Sequence, residues 1–455
     1  MKRTRARPAL LRSVLPAIAV SLLISAAASL PSFADDQAVK QDVAEAERTV
    51  QTVRGLKIKD KVPILQVSSE QAATMLGKEM DSEYTPEQIE TDGLAGALIG
   101  LYPHGINLRA ANLQLLQSQV IAYYDFHTRQ MILVQGALQR EFPGQPPELQ
   151  EKLHFMILSH EFTHALQDQN FNFGAEEKKL KSDGDRDLAL HSVAEGDATL
   201  SGYACMLGGM NPAVLSTLVN NLGNLSQTFT GAAAGVPRGV AEPLIFQYSE
   251  GVKFVAEAYR RGGWEAVDRL YKEPPQSTQQ IMDPALYYER AVLPYRIKVA
   301  GYESLLSGWH KADEDTLGEL GLRIIFENGL ARNSPDAGLA GKWAGDRIAM
   351  LRRDKAASVI WLIAFRDPDS AARFVTVYGK MLDRANGRRV AHRIEAKADA
   401  VLVVIGAPAV LFKTLAPAVW KASTITAPRP AVPQAGAPLQ AAAPAATLRR
   451  VAASH

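Results

Sequence analysis

Residues 146–169 read PPELQEKLHFMILSHEFTHALQDQ and predict a helix over residues 147–169. Pro146 and Pro147 are typical of a helix start, and Glu148 is favoured at the positive end of the helix dipole. A single apolar face then runs through the segment at helical spacing. Its members are Leu149, Leu153, Ile157, His160 and His164. The two histidines therefore continue a face that is expected to be buried.

The five residues His160-Glu161-Phe162-Thr163-His164 have the spacing HExxH. At about 3.6 residues per turn, residues four apart lie on one face, so both imidazoles leave the helix in the same direction. Glu161 lies close enough to reach a water on a metal ion without ligating the ion. Buried neutral imidazoles each need a partner, and one metal ion satisfies both. The pattern indicates a zinc-hydrolase site, although the same spacing also occurs by chance in helices that bind no metal.

A second helix is predicted over residues 187–207, with Leu188, His191 and Glu195 on one face. Glu195 would place a carboxylate on a face that packs against the first helix. Burying that charge is costly unless it meets a cation, and zinc is the obvious one. Glu195 is therefore the predicted third metal ligand, and His191, one turn earlier, is the alternative.

Two ligands from HExxH and a third from a glutamate on a later helix resemble the gluzincin class of zinc metallopeptidases. The resemblance implies that His160, His164 and Glu195 bind one catalytic Zn2+ ion. It also implies that Glu161 is the general base.

Other zinc-peptidase patterns fit this chain less well. The metzincin motif needs Gly and His where this chain has Gln167 and Asn170. Thermolysin-like enzymes follow the third ligand with a Ser-Asp pair, whereas Glu195 is followed here by Gly196 and Asp197. Two alternatives stay open for Asp197: it orients a ligating histidine, as carboxylates commonly do, or it caps a local turn.

Residues 120–134 read VIAYYDFHTRQMILV and predict a β-hairpin, because apolar β-forming residues flank a polar turn. A hairpin before the HExxH helix is similar to the edge-strand arrangement of zinc peptidases, in which an extended substrate adds as another strand. A purely structural β-ribbon is the alternative. Four further segments, 55–57, 62–67, 165–169 and 274–281, resemble a poorly characterised group of bacterial exported proteins with an HExxH core. The similarity runs from about residue 50 to about residue 410.

The predicted fold class is α+β, with a mainly helical zincin-like catalytic lobe, a small β-hairpin or edge sheet, and a C-terminal α+β module. The predicted divisions are a signal peptide (1–34), an N-terminal mainly helical region (35–115), a catalytic region (116–335), the C-terminal module (336–426) and a disordered Ala/Pro-rich tail (427–455). In the module, strands are expected at 347–352, 358–365 and 400–405 and a helix at 370–382. Another helix is expected before it, at 313–332.

The N-terminus predicts export to the periplasm or the extracellular space. Five basic residues precede an apolar run, and Ser32-Phe33-Ala34 is a plausible cleavage site. An uncleaved membrane anchor is the alternative, because the run is long for a signal segment. Removing residues 1–34 takes away five basic and no acidic residues, which changes the formal charge from +2 to −3. This charge gives no case for nucleic-acid binding, and a single cysteine excludes an intramolecular disulfide.

These observations predict an exported zinc metallopeptidase that acts on a peptide or protein, with no nucleic-acid partner and no stable membrane span after cleavage. One alternative is a peptide-binding or chaperone-like envelope protein with weak or lost catalysis. The other is a non-peptide amidohydrolase. A further side chain should stabilise the oxyanion in a hydrolase. The chemically able candidates are Tyr203, Tyr248, Tyr287, Tyr288 and His310.

Overall fold

The computed structural model describes residues 18–19, 36–117, 120–137, 140, 144–221, 235–386 and 390–428. The predicted signal segment lies outside these residues except at positions 18–19, and the predicted tail lies outside them except at 427–428. Among the helices of these ranges, none combines the length and the apolar character needed to cross a bilayer.

Helices dominate the described part of the chain, and sheets of four, five and two strands accompany them, which confirms the α+β class. The helices are α1 (Asp36–Arg54), α2 (Ser69–Glu83), α3 (Pro86–Ile99), α4 (Leu108–Gln117), α5 (Pro147–Phe171), α6 (Phe173–Lys178), α7 (Gly184–Met206), α8 (212–221), α9 (Arg238–Lys272), α10 (Thr278–Met282), α11 (Pro284–Tyr288), α12 (Gly318–Gly329), α13 (Pro368–Asn386) and α14 (Phe412–Ala422). Two 3-10 helices span Pro335–Lys342 and Ala409–Leu411.

The strands are β1 (Ile18–Ala19), β2 (Ile64–Val67), β3 (Ala122–Asp125), β4 (Gln130–Val134), β5 (Arg296–Lys298), β6 (His310–Asp315), β7 (Trp343–Arg353), β8 (Ala356–Phe365), β9 (His392–Lys397), β10 (Ala400–Ile405) and β11 (Thr424–Thr426). The four-stranded sheet has the order β1-β3-β4-β2, the five-stranded sheet β6-β7-β8-β10-β9, and β5 pairs with β11.

The predicted hairpin before the HExxH helix is confirmed as β3 and β4. They pair antiparallel, with Ala122 opposite Leu133 and Asp125 opposite Gln130. The Asp125 carboxylate holds the turn because it accepts hydrogen bonds from the backbone N–H groups of His127 and Thr128, at 2.7 and 3.2 Å. Local contacts therefore stabilise the hairpin, since an aspartate at the start of a turn accepts hydrogen bonds from backbone N–H groups within the turn.

The C-terminal sheet is antiparallel throughout, and α13 packs on it. The three predicted strands are present as β7, β8 and β10, and two further strands, β6 and β9, form the edges. The expected helix at 313–332 is wrong in its first residues, because 310–315 form β6 and the helix begins at Gly318. The buried Asp315 side chain accepts hydrogen bonds from the Gly184 and Thr316 backbone N–H groups, and these contacts fix an aspartate-rich edge strand that propensity disfavours.

Helices α5, α7 and α9 pack closely around the candidate site, and glycines allow their backbones to approach. A Cβ atom at Gly196 of α7 would lie 2.4 Å from the Gly251 carbonyl oxygen of α9. A Cβ atom at Gly202 would lie 2.9 Å from the Met156 carbonyl oxygen of α5. Gly196, which departs from the thermolysin-like pattern, thus has a packing explanation, since any larger residue would push α7 and α9 apart.

Candidate metal centre

The three predicted ligands lie together between α5 and α7. The Nε2 atoms of His160 and His164 are 3.0 Å apart. Glu195 Oε2 lies 3.2 Å from His160 Nε2 and 3.6 Å from His164 Nε2. All three side chains are buried, with Glu195 only 1% exposed. One carboxylate oxygen and two imidazole nitrogens therefore face a common point.

The separations of these atoms fit a small divalent ion. Ligand atoms about 2.0–2.1 Å from a tetrahedral zinc ion stand roughly 3.3 Å from one another. The three observed separations, 3.0, 3.2 and 3.6 Å, lie on either side of that value. Nitrogen from histidine and oxygen from a carboxylate are also the donor types that zinc takes in catalytic sites. The centre can thus hold a divalent metal ion with small side-chain shifts.

The charges of the three groups in the metal-free chain follow from their proximity. Burial would lower the pKa of His164, but the Glu195 carboxylate outweighs burial and raises it to about 9. Burial likewise opposes ionisation of Glu195, but His164 and His160 lower its pKa to about 2. For His160 burial prevails, and its pKa lies below the usual value. At neutral pH the centre thus holds one imidazolium, one neutral imidazole and one carboxylate.

We expect the apparent affinity for Zn2+ to rise roughly tenfold per pH unit between pH 6 and 9 and to level off above 9. A bound ion competes with the proton on His164, whose pKa is about 9, while Glu195 is already ionised and His160 already neutral. Lower pH therefore weakens binding through one proton. Competition titrations with a chromophoric chelator at pH 6, 7, 8 and 9 measure the slope. An affinity that does not change with pH, or one that rises about a hundredfold per pH unit, would contradict this charge assignment.

Gln167 fixes the ring of His164 and is the residue of the site that the sequence analysis passed over. Its Oε1 lies 2.9 Å from His164 Nδ1, so the ring N–H donates to the amide and Nε2 is left to face the centre. The Gln167 Nε2 group donates to the Ala194 carbonyl and to Asp197 Oδ2. Outer contacts of this kind orient a ligating histidine. Its position about one helical turn after His164 could have indicated from the sequence that the two side chains meet.

Asp197 is linked to the centre through Gln167, whose side-chain amide donates to its carboxylate. Its carboxylate pairs with Arg54 of α1, with Oδ1 2.9 Å from Nε, and accepts a hydrogen bond of 2.7 Å from the Tyr271 hydroxyl. Arg54 is 2% exposed and also binds Asp268 at 2.7 Å. The orienting role left open for Asp197 is thus supported in an indirect form. Arg54 brings α1 into the network that supports His164.

Glu161 is fully buried on α5, directly after His160. Its charge is among the influences that raise the pKa of His164. The HExxH helix thus carries two potential ligands and one further buried carboxylate.

Comparisons with known proteins give the chain no established activity. A family described as a domain of unknown function, DUF8575, matches residues 304–418, which include the whole five-stranded sheet. A crystal structure from Chloroflexus aurantiacus, described as "a putative hydrolase with a novel fold", aligns with 56% of this chain and 90% of its own chain. The sequence identity is 17% and the TM-score is 0.36. No curated protein matches. Membership of the gluzincin class stays a prediction.

His191, the alternative ligand, faces a different group of side chains. Its Nε2 lies 3.5 Å from Glu177 Oε1, and its ring packs edge-on against Phe173 with centroids 5.3 Å apart. The three atoms that meet at the candidate centre come from His160, His164 and Glu195. Glu195 is therefore the better placed of the two candidates on α7.

Of the five candidates for oxyanion stabilisation, Tyr248 of α9 lies at the centre. Its ring stacks on His160 with centroids 6.4 Å apart, and it is buried. Tyr287 donates to the Glu273 carbonyl, and Tyr288 lies under Arg261. His310 is exposed on β6 and contacts Glu87. Tyr203 is half-buried on α7, and within the described part of the chain no hydrogen bond or ring contact joins it to the three ligands.

A cavity of about 730 Å3 lies at the other end of α7. Its wall includes Asp183, Arg186 and Trp343. Asp183 precedes Glu195 by twelve residues, or about 18 Å along the helix axis. This cavity is therefore separate from the candidate metal centre.

Proposed function

We propose that the chain is an exported zinc-dependent metallopeptidase. The observation that carries the proposal is the meeting of His160 Nε2, His164 Nε2 and Glu195 Oε2 within 3.0–3.6 Å of one another, with Glu161 fully buried on the same helix as the two histidines. A purely structural zinc site has four protein ligands and needs no further carboxylate. Three ligands and an adjacent glutamate are the composition of a hydrolytic site.

A bound zinc ion would supply a Lewis acid that polarises a carbonyl group and lowers the pKa of a water molecule. Glu161 would accept a proton from the attacking water and donate it to the nitrogen of the leaving amine. Its burial keeps bulk water away and favours proton transfer within the site. Gln167 keeps the His164 ring in one orientation throughout. Tyr248, stacked on His160, is the tyrosine best placed to donate a hydrogen bond to the oxyanion.

Strand β3 supports a peptide as the substrate. It runs against α5, because the Tyr124 hydroxyl donates to Asp168 at 3.3 Å and Phe126 packs edge-on against His164. In the full chain its outer edge pairs with Ile18–Ala19. These two residues belong to the predicted signal segment, so cleavage would leave β3 as a free edge. An extended peptide could then add to β3 beside the metal centre.

The experiment is digestion of a diverse peptide library by the purified exported chain, followed by mass spectrometry. We expect cleavage that stops when a zinc chelator is added and returns when zinc is restored. Cleavage that resists the chelator would exclude a metal mechanism. Peptide capture without cleavage would favour a binding protein, and hydrolysis restricted to non-peptide amides would favour an amidohydrolase. Either result would overturn the proposal.

A further inference from the structure

A second cluster of potential metal ligands lies one helical turn from the candidate centre. It consists of Glu177 at the end of α6 and Asp187 and His191 in the first half of α7. One ligand atom from each lies within 4.8 Å of the others. His191 Nε2 and Glu177 Oε1 are 3.5 Å apart. One nitrogen and two carboxylate oxygens thus face one another, a donor set that divalent transition metals accept.

His191 is the observation that points to a ligand. The residue is 2% exposed, and neither ring nitrogen has a hydrogen-bond partner within the described ranges. A buried imidazole without a hydrogen bond is costly, so its position needs an explanation. Phe173 fixes the ring from one side, and Nε2 is directed at the Glu177 carboxylate.

The spacing of the two α7 residues favours chelation. Asp187 and His191 are four apart, so their side chains leave one face of the helix together, as the histidines of HExxH do. Glu195 follows after another four residues on the same face, but its oxygen is directed at His160 and His164. The two clusters therefore use different residues of α7 and can be tested separately.

We propose that Glu177, Asp187 and His191 form a second site for a divalent transition metal ion such as Zn2+ or Mn2+. Ligand atoms around such an ion stand roughly 3.3 Å apart, so binding would draw the outermost atoms together by about 1.5 Å. Glu177 is the ligand able to move, because its side chain is 15% exposed whereas that of His191 is 3% exposed. The same partly exposed side chain gives the ion a route from solvent.

A metal ion at this place would join α6 to the helix that carries Glu195. The connection between α6 and α7 is short, and the contacts here include the Glu177 carboxylate with the His191 imidazole and the Phe173 ring with the same imidazole. We therefore expect the second ion to stabilise the fold next to the first centre. The competing account is that His191 is an imidazolium which neutralises the two carboxylates and binds no metal.

Metal titration of a His160→Ala/His164→Ala double variant of the full chain decides between the two accounts, because the first centre has lost both imidazoles. Chelator-treated protein is titrated with Zn2+ and with Mn2+ against a chromophoric competitor. We expect one equivalent to bind, and thermal unfolding to shift upwards with the metal. Adding His191→Ala should weaken binding about 100-fold or more, since loss of an outer contact alone costs 10–100-fold.

His154→Ala in the same double variant is the matched control, because it removes a histidine of α5 that contacts Asp42 and belongs to neither cluster. This control variant should still bind one equivalent of metal with unchanged affinity. Absence of binding by the folded double variant, or binding unchanged by His191→Ala, would overturn the proposal. If a histidine variant fails to fold, the same titration is carried out on the unsubstituted chain and on its Glu177→Gln variant. The unsubstituted chain should bind two equivalents of metal and the variant one. A single equivalent that Glu177→Gln does not change would refute the second site whether or not the first is catalytic.

Discussion

Replacing Glu161 by Gln will lower peptide hydrolysis by about 10²–10⁴-fold while zinc binding is kept. The amide has nearly the size of the carboxylate but cannot accept a proton from water, and general-base catalysis contributes a factor of this size. The ligand atoms of His160, His164 and Glu195 are untouched by the change. The turnover number should carry the loss, with little change in KM. Steady-state kinetics and zinc content of the same preparations measure both quantities.

Glu151→Gln is the matched control for this variant. Glu151 lies exposed near the start of α5, away from the centre, so its replacement removes the same charge without touching the site. It should hydrolyse peptides at the rate of the unsubstituted chain. Retained activity in Glu161→Gln would remove the glutamate from the mechanism, and loss of zinc in this variant would show that it acts on the metal itself.

Asp197→Ala should lower the free energy of unfolding by about 3–5 kcal/mol, the range for breaking a buried ion pair. Arg54, 2% exposed, pairs with two carboxylates and would lose Asp197, the more deeply buried of them. The Tyr271 hydroxyl would lose its hydrogen-bond acceptor. The change should also weaken zinc binding by about 10–100-fold, because Gln167 loses one of the contacts that hold it against His164. Chemical denaturation and chelator competition measure the two effects.

Asp268→Ala separates the contribution to stability from the contribution to the metal. Asp268 pairs with the same arginine at 2.7 Å, but its side chain is 25% exposed. We expect a smaller loss of stability and unchanged zinc affinity. Equal zinc affinity in Asp197→Ala and the unsubstituted chain would show that Asp197 is purely structural.

The sequence predicted the helices of the site well because their cause is local. The face from Leu153 to His164 has a 3.6-residue period and is buried, whereas Leu149, at the start of the expected buried face, is 39% exposed. Helix α5 spans Pro147–Phe171 against an expected 147–169. Burial of a carboxylate on a packed face was enough to select Glu195 over His191. The helix of Glu195 begins at Gly184, three residues earlier than expected, because the Asp183 side chain caps it.

The contacts around the site could not be predicted, since they join residues far apart in the chain. Arg54 and Asp197 are 143 residues apart, and neither has a local pattern that indicates the other. Strand β6 was missed for a similar reason, because Asp315 is held by a hydrogen bond from the distant Gly184 N–H group against its low strand propensity. Gly196 was read as a departure from a motif, but its cause is the backbone of α9.

The most direct test of the central claim is a crystal structure of the zinc-loaded chain with anomalous data collected on both sides of the zinc absorption edge. We predict an anomalous peak about 2.0–2.2 Å from His160 Nε2, His164 Nε2 and a Glu195 carboxylate oxygen. The Glu161 side chain should face the remaining coordination position. A zinc-loaded crystal without a peak between these three side chains, or with Glu195 turned away from the ion, would contradict the account.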